Sequence, residues 1–134
     1  MIAYEIKTSH VVINDEIADY LLPIIKNLLI NSFNSNVHKI NKIKWGDFIP
    51  NLLTANIKQI YLNTINQMYY RKNPNGKYSI IFDNKNVYYN VKQETIFKLL
   101  NWGTMSFTGL RLIEKSMNDL EQNIDIYLEE YMGG

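Results

Sequence analysis

Leu110-Arg111-Leu112-Ile113-Glu114-Lys115-Ser116-Met117-Asn118-Asp119-Leu120-Glu121-Gln122-Asn123-Ile124-Asp125-Ile126-Tyr127-Leu128-Glu129-Glu130-Tyr131 carries the most regular pattern in the chain. Its apolar residues Leu110, Ile113, Met117, Leu120, Ile124, Tyr127 and Tyr131 step alternately by three and four, the spacing that aligns side chains along one face of an α-helix. The opposite face reads Lys115, Asn118, Asp119, Gln122, Asp125 and Glu129, all of them polar. A long amphipathic C-terminal helix with one buried stripe is expected.

Working back from this helix, Gly109 closes a loop that begins where Trp102-Gly103-Thr104 breaks a helical period, and a short helix is expected over Gln93–Asn101. Asp83-Asn84-Lys85-Asn86, flanked by Tyr78–Asp83 and Val87–Val91, has the composition of a β-hairpin. Asn73-Pro74-Asn75-Gly76 is the clearest turn. Before it, Leu53, Ile57, Ile60, Tyr61, Ile65 and Met68 predict a middle helix, about Leu52 to Met68, with Asp47 or Asn51 as cap and Pro50 near its start. The Asn- and Ser-rich segment Asn31–Asn41 reads as a loop. An N-terminal amphipathic helix is expected over Asp15–Phe33, with Asn14 as N-cap and Ile17, Leu21, Ile24 and Leu28 on its apolar face. Pro23 requires a kink there or a later start. Ile2, Tyr4 and Ile6 alternate with Ala3, Glu5 and Lys7 as a short strand. The expected fold class is α+β: a small antiparallel sheet or hairpin with N-terminal, middle and long C-terminal helices in a single domain over residues 1–134.

The 134 residues are 46% hydrophobic and 13% aromatic with no cysteine, which excludes disulfide-scaffold, collagen-like and disordered classes and leaves enough chain for a genuine core. Twelve Lys against two Arg, with eighteen Asn and nineteen Ile, indicate an AT-rich genome, bacterial or viral. Met1 to Ile13 lacks the basic-then-apolar order of a signal peptide. Tyr20 to Ile30 is broken by Lys26 and Asn27 and is too short for a bilayer. A soluble protein with no membrane partner is expected.

Catalytic and metal-binding patterns are not found in the sequence. His10 and His38 lack the spacing of a zinc site. Counting from Asp83 as a calcium loop, the third position is Lys85 and the sixth Tyr88 rather than Gly. Gly46, Gly76, Gly103 and Gly109 stand singly, so no phosphate-binding loop forms, and no Gly-x-Ser-x-Gly elbow occurs. The expectation is a protein that is not an enzyme and takes no cofactor or metal.

Net charge is +1, yet the chain is segregated. Residues 1–36 sum to −2, residues 37–92 to +7, residues 93–113 to +1 and residues 114–134 to −5. The basic block, with Lys39, Lys42, Lys44, Arg71 and Lys72 among Trp45, Tyr61, Tyr69, Tyr70, Tyr78 and Tyr88, suits phosphate or an acidic protein surface. The same lysines also suit the solvated faces of a helix and a hairpin. Glu129 and Glu130 fall at the negative end of the helix dipole, a placement that favours a basic surface docking there. A heptad-like stripe with unlike charge poles is what a head-to-tail ring of copies requires.

Thr95-Ile96-Phe97-Lys98-Leu99-Leu100-Asn101-Trp102-Gly103-Thr104, a short loop, Gly109-Leu110-Arg111-Leu112-Ile113 and the terminal helix together resemble the neck, or tail-completion, proteins of tailed bacteriophages. Asn101 stands where that family often has an acid, Leu110 to Leu112 lacks its usual proline, and the middle helix has no obvious counterpart. The resemblance is specific over the C-terminal third and extends to element order over the rest. It implies a structural virion protein, a head-tail connector made in the host cytoplasm and located in the neck or tail of the particle. Such a subunit forms a homo-oligomeric ring between portal and tail proteins, in non-specific contact with packaged DNA. Candidate interface residues are Trp102, Gly103, Arg111, Glu129, Glu130 and Tyr131; Lys39, Lys42, Lys44, Arg71 and Lys72 are candidates for contact with DNA or an acidic surface. The alternative is a small nucleic-acid-binding regulator or phage-encoded inhibitor that uses the basic 37–92 segment.

Overall fold

The computed structural model describes residues 1–8 and 10–133. Its elements run β1 (Ile2–Glu5), α1 (Asp15–Ser35), α2 (Val37–Lys42), a 3-10 turn (Trp45–Asp47), α3 (Thr54–Asn66), β2 (Tyr69–Lys72), β3 (Tyr78–Phe82), β4 (Val87–Tyr88), β5 (Val91–Lys92), α4 (Gln93–Trp102) and α5 (Leu112–Gly133). The protein is α+β, with a three-stranded antiparallel sheet in the order β1-β3-β2, a separate β4-β5 pair and a long C-terminal helix.

β3 is the central strand, and each of its five residues is buried. It pairs with β1 from Ile2 opposite Phe82 to Glu5 opposite Ser79, and with β2 from Tyr69 opposite Ile81 to Lys72 opposite Tyr78. A continuous apolar run is what burial on both faces demands, which explains why Tyr78–Phe82 does not alternate. α1 and α5 lie against each other and run antiparallel: Tyr20 meets Tyr131 with ring centroids 4.9 Å apart at one end, while Ser32 and Asn36 share a shallow cleft with Lys115 and Asp119 at the other. Ile113, Met117, Leu120 and Ile124 of α5 are buried, and every polar residue assigned to its opposite face is exposed. Leu110 lies before the helix, which starts at Leu112. The stripe that suggested contact between copies is therefore occupied within the chain, buried as far as Ile124 and half-buried at Tyr127, which packs on the core, and at Tyr131, which packs on Tyr20.

α1 starts at Asp15 and passes through Pro23 without a break, capped by the Asn14 side chain, whose Oδ1 accepts from the Ile17 N–H at 2.9 Å. Pro23 is exposed, as is Asp19 four residues earlier, so the carbonyl that loses its partner is on the solvent side. The buried line of α1 is Ala18, Leu21, Ile25, Leu29 and Phe33, with Ile17, Ile24 and Leu28 half-buried beside it. The expected loop at Asn31–Asn41 is instead the last turn of α1 followed by α2. Buried Phe33 and Ile40 outweigh the weak helix propensity of Asn and Ser, and Ser35 and Asn36 donate back to the carbonyls of Asn31 and Ser32.

Two further expectations are corrected. α3 is capped by neither Asp47 nor Asn51: Leu53 precedes it without a side-chain cap, Asp47 belongs to the 3-10 turn, and Asn51 has φ 69°. Leu53 is exposed, outside the buried line Ile57, Ile60, Tyr61 and Ile65. The hairpin expected around residues 83–86 does not form. β3 turns back on β2 through Asn73–Gly76, and β4 pairs only with β5, across Tyr89 and Asn90, whose φ values of 46° and 66° are those of a tight type I′ turn. Asn84 is the reason that residues 83–86 make no turn between paired strands: it is fully buried and bonds Thr64 and Gln93, tying the segment to α3 and α4.

Candidate functional site

The segment that carries the family resemblance forms the junction of α4 and α5. Asn101 is buried, and its Oδ1 accepts from the Ile113 N–H at 2.8 Å, satisfying one of the free donors at the start of α5. Its Nδ2 donates to both Glu114 oxygens at 3.1 Å, and the half-buried Trp102 donates from Nε1 to Glu114 Oε1 at 2.8 Å. Gly103 ends α4 with φ 79°, and a methyl group there would overlap the Phe107 carbonyl and the Gly109 nitrogen. Gly109 in turn lies against the Asn101 carbonyl and Gly103. Arg111, at φ 55°, is exposed beside this closure and its backbone N–H donates to Asn101. Trp102 and Gly103 thus hold the angle between two helices, while Arg111 presents its side chain to solvent.

Antiparallel packing of α1 and α5 gathers acids from two separate parts of the sequence. Asp15, Glu16 and Asp19 at the start of α1 share one end of the molecule with Asp125, Glu129 and Glu130 at the end of α5. Several of these carboxylates are held by neutral or titratable donors. The Tyr78 hydroxyl bonds Asp15, Tyr131 donates to Glu16 at 3.3 Å, and His10 Nε2 lies 2.8 Å from Asp125. The Asp15 bond, with burial and the charges of Asp15 and Asp19, pushes the Tyr78 hydroxyl up to about 12. Tyr70 is raised by its bond to Asp19, and Tyr131 by burial and Glu16. Glu129 and Glu130 are exposed and form no ion pair among the described residues. The last turn of α5 has no basic residue to offset the dipole; the start of α1 alongside supplies the opposite end of another dipole.

The basic block is divided. Lys39, Lys42 and Lys44 are exposed on and after α2, beyond the C-terminal end of α1. Arg71 and Lys72 are exposed on β2, an edge strand whose partner β3 carries the Tyr78 that meets Asp15 at the start of α1. The length of α1, 21 residues at a rise of about 1.5 Å, separates the two groups by roughly 30 Å. Trp45, Tyr61 and Tyr78 are buried, and Tyr61 donates to the Leu29 carbonyl at 2.8 Å, so these rings offer no stacking face. Just after Lys44, Trp45 and Phe48 pack on the 104–108 loop, with Phe48 and Phe107 centroids 5.4 Å apart, and Met105 of that loop is exposed; Leu53, before α3, is exposed as well. At the acidic end the exposed apolar residues are Ile126 and Met132. Sequence reasoning placed Leu53 in the apolar line of the middle helix and did not single out Met105, Ile126 or Met132, because isolated apolar residues outside a stripe carry no pattern.

An open cleft of about 390 Å³ lies between the end of β1, the 11–13 segment and the Asn75-Gly76 turn, with Glu5 and Lys77 paired at 3.8 Å on its wall. Among the described residues no group of three or more His, Asp or Glu is placed to hold a metal ion, and no helix is long and apolar enough to cross a membrane. No family model, no curated protein and no solved structure matches the chain.

Proposed function

We propose that this chain is a head-tail connector or tail-completion subunit of a tailed bacteriophage, a structural protein that assembles as a homo-oligomeric ring between portal and tail proteins. The observation that carries the reading is the distribution of charge along α1: carboxylates from α1 and α5 gather at one end, to which Arg71 and Lys72 of β2 lie close, and Lys39, Lys42 and Lys44 with exposed Met105 lie at the other. A subunit that contacts copies of itself through two unlike patches needs such an arrangement, and rotation about those contacts closes a ring. The resemblance of residues 95–113 to the neck proteins supplies the setting. The nucleic-acid reading has less support, since its five basic residues fall into two groups at opposite ends of α1.

The test is the protein content of purified phage particles. Peptides from this chain, in a few to some tens of copies per particle as a ring would give, are the expected result. Its absence from particles, with abundant chain in the infected cell, would overturn the reading.

A further inference from the structure

We infer that the end of the molecule formed by residues 37–48 and the 104–108 loop docks the acidic end of α5 on a second copy of this chain. The inference rests on the assembling-subunit reading for its setting, but its chemistry is separate. Lys39, Lys42 and Lys44 are exposed and form no ion pair among the described residues, and the same holds for Glu129 and Glu130. Exposed apolar side chains accompany both: Met105 on the 104–108 loop, whose Phe107 packs on Trp45 and Phe48 just after Lys44, and Ile126 and Met132 within one helical turn of Glu129 and Glu130 on α5. Charge gives such a contact its orientation, and the exposed apolar side chains give it area removed from water.

The two patches cannot meet within one molecule. They lie at opposite ends of α1, roughly 30 Å apart, which exceeds the Debye length of about 8 Å in physiological salt several-fold. They are therefore free to pair between copies. A net charge of only +1 leaves little overall repulsion to oppose this. The contact is heterologous, so each copy retains one free patch of each kind and the assembly grows until it closes.

A charge-exchange experiment on the full chain tests this. One variant carries Glu129→Lys and Glu130→Lys; the second carries Lys39→Glu, Lys42→Glu and Lys44→Glu. All five side chains are exposed, and circular dichroism is the check that each variant is folded. The parent is expected to self-associate in low salt, and each variant alone to do so at least about tenfold more weakly. An equimolar mixture of the variants is expected to assemble again, because each exchanged pole then faces its complement. A parent that stays monomeric at every concentration, variants that associate as the parent does, or a mixture of folded variants that fails to reassemble would each overturn the inference. Absence of the chain from phage particles would overturn the connector reading and leave the exchange result standing.

Discussion

Every polar atom of the Asn101 side chain is used: Oδ1 holds the Ile113 N–H and Nδ2 holds Glu114. Asn101→Ala leaves a buried donor and a carboxylate short of partners, and we expect a loss of about 1–3 kcal/mol in urea unfolding. Gly103→Ala meets both a positive φ and occupied space, so a loss of at least about 2 kcal/mol is expected by the same measurement. Tyr78 gives a pH dependence with a definite sign. Its hydroxyl is raised from 10 to about 12 in the folded chain, chiefly by the bond to Asp15, so the folded state keeps a proton that the unfolded state has lost. That contribution to stability is complete below pH 10 and falls as the pH rises through the window to about 12. Tyr78→Phe is expected to remove this part of the alkaline decline, read by denaturation at several pH values. Little of this was legible in sequence. Asn101 reads as the end of a helix, and its role depends on Ile113 and Glu114, which the loop over residues 103–111 brings back to it.

At the scale of elements, legibility follows the length of the pattern. α5 repeats its stripe over several turns and α1 does so nearly as well, so both are readable. Leu120→Ala, at a fully buried position in the α1–α5 seam, is expected to cost about 2–5 kcal/mol, whereas exposed Ile126→Ala should change stability by less than about 0.5 kcal/mol. β2 was not legible: Tyr69-Tyr70-Arg71-Lys72 has no apolar alternation, and as an edge strand it leaves Tyr69, Arg71 and Lys72 exposed with only Tyr70 half-buried. Its charges have a use at a sheet edge, where they discourage a further strand from pairing. Arg71→Val with Lys72→Val is accordingly expected to leave the fold intact and to raise turbidity on storage. α2 was hidden for a different reason, since the packing of Ile40 and Trp45 overrides a local composition that favours turns.

Over the whole molecule, summing charge by blocks located the poles only in part. The acidic end is built from two blocks that lie a hundred residues apart in sequence and are joined by antiparallel helices. The basic block is one run in sequence and two places in space, because α3 carries the chain from α2 back to the sheet. Sequence could show that opposite charge is segregated, but not that α1 keeps Lys39, Lys42 and Lys44 at a distance from Glu129 and Glu130. That separation leaves both poles available to other molecules, and it is the basis for reading the protein as a subunit of an assembly. Sedimentation equilibrium of the intact chain over a range of concentrations, in low and in high salt, tests this most directly. The expected result is a mass that rises with concentration in low salt to multiples of 15.8 kDa and falls back when salt screens the poles. A mass of 15.8 kDa at every concentration and salt would contradict it.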